Sequence, residues 1–223
     1  MKLLVFDVEG TIFRTRIRLP GTSLDSTIWQ GLAYALGPHA IDEEIETHRR
    51  WERKEYSSYI NWMEDTIRIH KKYGLTHKMF YDITHAAEYN TGVPQTFAKL
   101  DRNQYVPVMI TGGFRELAAR PQRDFGILHT FAACEYLFGD NGKLEAYNLL
   151  PCDFEGKIDF ILLMLREYGL TEQDWVFVGD GKNDVPIAQS CPLSIGYRPH
   201  PALREVVTYI VEDFRDLLNI LQT

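Results

Sequence analysis

Three short stretches of the 223-residue chain carry the side chains best suited to chemistry. Asp7-Val8-Glu9-Gly10-Thr11 sets two carboxyls on either side of one residue, directly after the apolar run Leu3-Leu4-Val5-Phe6. Such a pair can bracket a reacting centre, one group as nucleophile or metal ligand and the other as acid/base. Thr111-Gly112-Gly113 offers a hydroxyl and two residues whose backbone N–H groups can approach an anion closely. A short helix over Phe114–Arg120 would point its N-terminal partial positive charge the same way. Gly179-Asp180-Gly181-Lys182-Asn183-Asp184 is a carboxylate cluster in a glycine-rich turn, without the spacing and closing glutamate of a calcium loop. Carboxylates, other oxygen donors and an anion cradle together describe a Mg²⁺ phosphate site better than a thiol, haem or nicotinamide site.

Each stretch follows an apolar, β-rich run: Lys2–Val8, Tyr105–Ile110 and Trp175–Val178. From about Pro94 onward, strands and helices alternate. An amphipathic helix spans Lys157–Tyr168, another lies near Val185–Ser190, strands are expected at Leu193–Ile195 and Tyr209–Val211, and a last helix at Phe214–Leu221. Asp140-Asn141-Gly142 is a hairpin signal. The alternation predicts an α/β fold, a Rossmann-like doubly wound parallel sheet with its ligands at the carboxyl ends of the strands. Between the first and second stretches the pattern is helical. Trp29, Leu32, Ala33 and Leu36 share one helix face, Trp62, Thr66, Ile69 and Tyr73 another, and Met79, Phe80, Ile83 and Ala87 a third. The mixed charges of Asp42–Glu55 are a solvated helix face, and Trp51, Tyr56, Tyr59 and Trp62 are read as packing residues. Leu19-Pro20-Gly21 and Asn90-Thr91-Gly92-Val93-Pro94 bound this block. The expected division is therefore a core of residues 1–14 and 91–223 with an inserted all-helical domain of residues 15–90.

Composition narrows the function classes. Hydrophobic residues make up 45% and charged residues 25%, the balance of an ordinary globular chain. Twenty-four basic against 31 acidic residues leave a net charge of −7, which argues against non-specific nucleic-acid binding. No stretch approaches the ~20 apolar residues of a membrane span, and the opening apolar run is too short for a signal peptide. Cys134, Cys152 and Cys191 are far apart and form no CxxC, so reduced thiols and a cytoplasmic location are expected.

The motifs in this order resemble the haloacid dehalogenase superfamily, and within it the phosphoserine-phosphatase-like branch. The resemblance rests on Asp7-Val8-Glu9-Gly10-Thr11, Ile110-Thr111-Gly112-Gly113-Phe114, Gly156-Lys157 and Val178-Gly179-Asp180-Gly181-Lys182-Asn183-Asp184. The helical block lies where that branch carries its helical cap. The resemblance implies that Asp7 attacks phosphorus to form an aspartyl-phosphate, and that Glu9 protonates the leaving oxygen and then activates water. It implies that Thr111 and the backbone of Gly112 and Gly113 hold the phosphoryl oxygens and that Lys157 offsets negative charge. Mg²⁺ is then expected at Asp7, the Glu9 carbonyl and Asp180, with Asp184 and Asn183 ordering bound water or substrate. Arg68, on the helix through Trp62–Tyr73, falls roughly where the branch binds a substrate carboxylate.

Two departures from that pattern bear on function. The second acidic residue of the first motif is usually Asp, and Glu9 places its carboxyl about 1.5 Å further out, where errors near 1 Å can cost about a hundredfold in rate. Beyond that motif, an acidic residue that binds the substrate ammonium is replaced by the basic stretch Phe13-Arg14-Thr15-Arg16-Ile17-Arg18. This favours an additional carboxylate or phosphate on the substrate unless the arginines only face solvent. The expected protein is a Mg²⁺-dependent phosphomonoester phosphatase acting on a small phosphorylated metabolite, as monomer or homodimer. The alternatives are a phosphotransferase of the same family and a catalytically weak regulator that binds a phosphorylated ligand.

Overall fold

The computed structural model describes residues 1–222. The elements in chain order are β1 (Lys2–Phe6), β2 (Ile17–Arg18), β3 (Asp25–Ser26), α1 (Ile28–Leu36), α2 (Pro38–Glu52), α3 (Tyr59–Lys72) and α4 (His77–His85). Then follow α5 (Val93–Lys99), β4 (Tyr105–Phe114), α6 (Arg115–Phe125), β5 (His129–Phe138), β6 (Leu144–Leu149), α7 (Gly156–Glu167) and β7 (Trp175–Gly179). The chain closes with α8 (Val185–Ser190), β8 (Leu193–Tyr197), α9 (Pro201–Arg204), β9 (Tyr209–Val211) and α10 (Leu217–Leu221). Two compact units result, one of Met1–Thr15, Tyr89–Ala133 and Cys152–Thr223, the other of Arg16–Glu88 and Cys134–Pro151.

The strand order is β6-β5-β4-β1-β7-β8-β9. β1 pairs in parallel with β4 and β7, and β7, β8 and β9 continue the parallel run, as the strand–helix alternation predicts. β1 is central, so Leu3, Leu4, Val5 and Phe6 are all buried, as a near-continuous apolar strand in a parallel sheet requires. Because β1, β4 and β7 all point the same way, Asp7, Thr111 and Asp180 emerge at one edge of the first unit.

Two elements differ from the sequence expectation. The backbone stays extended through Thr111–Phe114, so β4 runs four residues further than the apolar run and α6 begins only at Arg115. α6 also passes through Pro121 to end at Phe125, where Gly126 takes a left-handed conformation. The Asn90–Pro94 stretch is not only a linker: Gly92 is left-handed and Pro94 sits in the first turn of α5, where its missing N–H is no loss.

In the second unit α2 and α3 are joined by polar contacts inside an aromatic layer. Trp62 Nε1 donates to Thr47 Oγ1 at 3.3 Å, and Trp51 and Trp62 stack at 4.8 Å. The β5–β6 hairpin tip belongs to this unit. His77 N donates to Gly142 O, Leu144 N to Leu75 O, and the His70 ring contacts Tyr136 Oη at 2.7 Å. No helix among the described residues is long and apolar enough to cross a membrane.

Candidate active site at the strand ends of the first unit

Asp7 leaves β1 with its N–H bonded to Val178 O at 3.0 Å, which ties the first motif to the strand that delivers the third. The chain then turns tightly. Ile12 and Phe13 both donate to Val8 O and Gly10 donates to Phe13 O, while the Glu9 carbonyl accepts none of these loop bonds. From this loop Thr11 Oγ1 donates to Asp180 Oδ1 at 2.9 Å.

Lys157 stands in the first turn of α7 and is fully buried. Its ammonium donates to Asp7 Oδ1 at 2.6 Å and to Asp184 Oδ1 at 2.8 Å, and lies 3.8 Å from Asp153 Oδ1. Asp184 Oδ2 accepts from the backbone N–H groups of Asp180 and Gly181, so both of its oxygens are engaged. By contrast, Asp7 Oδ2 and Asp180 Oδ2 accept no hydrogen bond from the described residues. Asn183 Nδ2 donates to Asp153 Oδ1 at 2.8 Å.

The glycines of the second motif make room for two acids. A Cβ on Gly112 would lie 2.2 Å from Asp153 Oδ2, and one on Gly113 would lie 2.2 Å from Glu9 Oε1. Thr111 is buried; its Oγ1 accepts from Gly113 N at 3.0 Å, and its carbonyl accepts from Cys152 Sγ. Among the described residues Glu9 Oε1 is buried with no hydrogen-bond partner, a costly state for a carboxyl unless a ligand or water satisfies it.

Five acids thus surround one ammonium. Burial pushes Asp7 up to about 7, with Asp184 and Asp153 adding to the rise and Lys157 opposing it. Burial, reinforced by the charges of Asp7 and Asp153, pushes Glu9 up to about 8. Asp153 and Asp180 are raised by burial as well. Burial alone would pull Lys157 down, but Asp184, Asp7 and Asp153 hold it well above its ordinary value. One oxygen each of Asp7, Asp180 and Asp184 falls within 4.8 Å of the others. An all-oxygen donor set, two oxygens without protein donors and an excess of negative charge fit a hard divalent cation such as Mg²⁺.

The structure brings Asp7, Glu9, Thr111, Gly112, Gly113, Lys157, Asp180, Asn183 and Asp184 together in one unit. Arg68 stands in the other unit, on α3, ion-paired with Asp65, which also accepts from Arg50 at 2.8 Å. Arg16 and Arg18 are turned onto Asp25 of the β2–β3 ribbon. Asp153 was not singled out from the sequence, although its i,i+4 spacing to Lys157 across the start of α7 is a readable signal.

The haloacid dehalogenase-like hydrolase family model matches residues 1–191. A phosphoserine phosphatase of Lactococcus lactis is 28% identical over 152 residues, covering 67% of this chain and 68% of that protein. A phosphoserine phosphatase of Methanocaldococcus jannaschii is 28% identical over 138 residues, covering 59% of this chain and 61% of that one. Among solved structures, a phospho-aspartyl intermediate analogue of phosphoserine phosphatase matches with a TM-score of 0.76 at 19% identity, covering 98% of both chains. At that identity the structural likeness speaks for the fold. The matching family model and the site geometry lead to one conclusion: the chain belongs to the haloacid dehalogenase-like hydrolases, and the relatives it resembles are phosphoserine phosphatases.

Proposed function

We propose that the protein hydrolyses a small phosphate monoester through a covalent intermediate on Asp7. The observation that carries this reading is the pairing of a lysine-fixed carboxylate, Asp7, with Glu9, whose Oε1 is buried without a hydrogen-bond partner among the described residues, beside the Thr111–Gly113 strand end. Asp7 would attack phosphorus while the ester oxygen leaves with the Glu9 proton. Glu9, pushed up to about 8, holds that proton near neutrality, as a general acid must. The resulting Glu9 carboxylate then takes a proton from the water that attacks phosphorus, and Asp7 is released. Thr111 and the glycine backbone beside it would contact the phosphoryl oxygens, and Lys157 orients Asp7 and balances its charge.

Asp7, Asp180 and the Glu9 carbonyl would hold Mg²⁺, with Asp184 behind them fixing the Asp180–Gly181 turn. When bound, the ion supplies positive charge that favours ionised Asp7 and offsets the charge of the phosphate. The relatives' names make phosphoserine the first compound to try. Arg16 and Arg18 are exposed and engaged with Asp25, so they do not themselves argue for a second anionic group on the substrate.

The test is phosphate release from amino-acid, sugar, nucleotide and dicarboxylate-like phosphates, with and without Mg²⁺, beside Asp7→Asn. Turnover should require Mg²⁺ and fall by at least about a thousandfold in the variant. Residual activity above that level in clean Asp7→Asn protein would remove Asp7 as the nucleophile.

A further inference from the structure

The loop that follows Asp7 is held by one side chain that none of the three motifs contains. Asn90 Nδ2 donates to the carbonyls of Gly10 at 2.8 Å, Thr11 at 3.0 Å and Phe13 at 3.0 Å. The Asn90 backbone N–H donates to the fourth carbonyl of the series, Ile12 O, at 2.9 Å. Every carbonyl from Gly10 to Phe13 therefore accepts from this residue. An amide NH₂ has two protons, so three acceptors require one proton to be shared. Among residues of this size only Asn supplies the pattern: Asp has no donor, Ser has one, and Leu would leave the buried carbonyls of Gly10 and Thr11 unmet and that of Phe13 with only the Gly10 N–H.

The residues beside Asn90 fix its position. Tyr89 bridges Phe13 in antiparallel fashion and stacks on its ring at 4.7 Å. The Arg120 guanidinium covers both rings, at 4.9 and 5.7 Å from their centroids, and Tyr89 Oη donates to Asp124 Oδ2 at 2.6 Å. The clamp is thus anchored on α6, the helix that follows the Thr111–Gly113 strand end.

The clamped loop in turn sets a carboxylate. Gly10 is left-handed, with φ of +91°, and a Cβ there would lie 2.1 Å from Asp180 Oδ2. Thr11 donates to Asp180 Oδ1. Both oxygens of Asp180 are therefore placed by residues whose own carbonyls end on Asn90. We propose that Asn90 is a positioning residue of the active site, holding the Gly10–Phe13 loop so that Asp180 is placed for Mg²⁺ and Glu9 for proton transfer. The role given to Glu9 and the kinetic readout rest on the phosphatase reading; the clamp on the loop and on Asp180 does not.

The test compares Asn90→Ala and Asn90→Ser with Tyr105→Phe, which removes one hydrogen bond (to Leu221 O) from the opposite end of β4. Three quantities are read: kcat against KM, the Mg²⁺ concentration that half-saturates the rise in melting temperature, and amide exchange of Ile12 and Phe13. Asn90→Ala should lower kcat at least tenfold with a smaller change in KM, raise the Mg²⁺ midpoint at least fivefold, and speed exchange at both amides. Asn90→Ser, keeping one donor, should fall between it and wild type, and Tyr105→Phe should keep wild-type kcat, Mg²⁺ midpoint and loop exchange. A kcat and Mg²⁺ midpoint within twofold of wild type in Asn90→Ala would overturn the proposal; if that variant does not fold, an unshifted midpoint and unchanged exchange in Asn90→Ser would do so. Wild-type protein that hydrolyses no phosphate monoester would refute the functional reading instead, and the midpoint and exchange data would still decide the role of Asn90.

Discussion

Lys157 shows most directly how the site balances charge. A fully buried ammonium survives only because Asp7 and Asp184 hydrogen-bond to it and Asp153 lies close by. Removing it leaves buried carboxylates uncompensated, a change that costs about 3–5 kcal/mol when one partner of a buried pair is deleted. Lys157→Met should therefore melt well below wild type in chelator, and Mg²⁺ should raise its melting temperature more than it raises that of wild type. Equal melting temperatures in chelator would contradict the balance described here. The acids of this site were legible in sequence because Asp7, Glu9, Asp180 and Asp184 directly follow apolar strands. Lys157 was not legible from its surroundings, since a lysine opening an amphipathic helix is ordinarily solvated; the family resemblance alone raised it. Asn90 escaped because its partners, the Gly10–Phe13 carbonyls, are far away in sequence; Asp153 left one local signal, its i,i+4 spacing to Lys157, while its bond from Asn183 is distant.

At the scale of elements, α3 carries the sharpest pH signature. His70 lies fully buried, bonded to Tyr136 through Nδ1 and with Nε2 unpartnered among the described residues, and burial pushes it down to about 3. Its native pKa lies below its unfolded value near 6.5, so the unfolded chain binds more protons between those limits. Stability from this group is complete above pH 6.5 and is lost as pH falls toward 3, by about 2 kcal/mol at pH 5. Glu44, pushed up to about 7 by burial, titrates with the opposite sign in the same range. The informative comparison is therefore between proteins: urea unfolding of His70→Gln should lose about 2 kcal/mol less than wild type between pH 7.5 and pH 5. Equal losses would clear His70 of the effect. The helices themselves were readable from periodicity, and the hairpin from Asp140-Asn141-Gly142. What periodicity could not give was the extension of β4 through Thr111–Gly113, because glycines carry no pattern and only the approach of Asp153 and Glu9 explains them.

At the scale of the molecule, the two units interleave along the chain. The first unit is assembled from three separate segments and the second from two. Sequence patterning places an inserted helical domain at residues 15–90 and gives no hint that Cys134–Pro151 groups with the helical block. That segment alternates like any hairpin, and its partners, Leu75, His77 and His70, lie more than fifty residues earlier. The same interleaving has a consequence for how the protein is made. β1 is synthesised before both of its sheet neighbours, Tyr105–Met109 and Trp175–Val178, and its Leu3–Phe6 are buried in the finished sheet. At about 5–20 residues per second, β1 waits roughly 10–35 s for its second neighbour to be synthesised. For that time the apolar run Leu3-Leu4-Val5-Phe6 lacks at least one of its two strand partners. An apolar strand without its neighbours is an aggregation hazard during synthesis that the finished sheet removes.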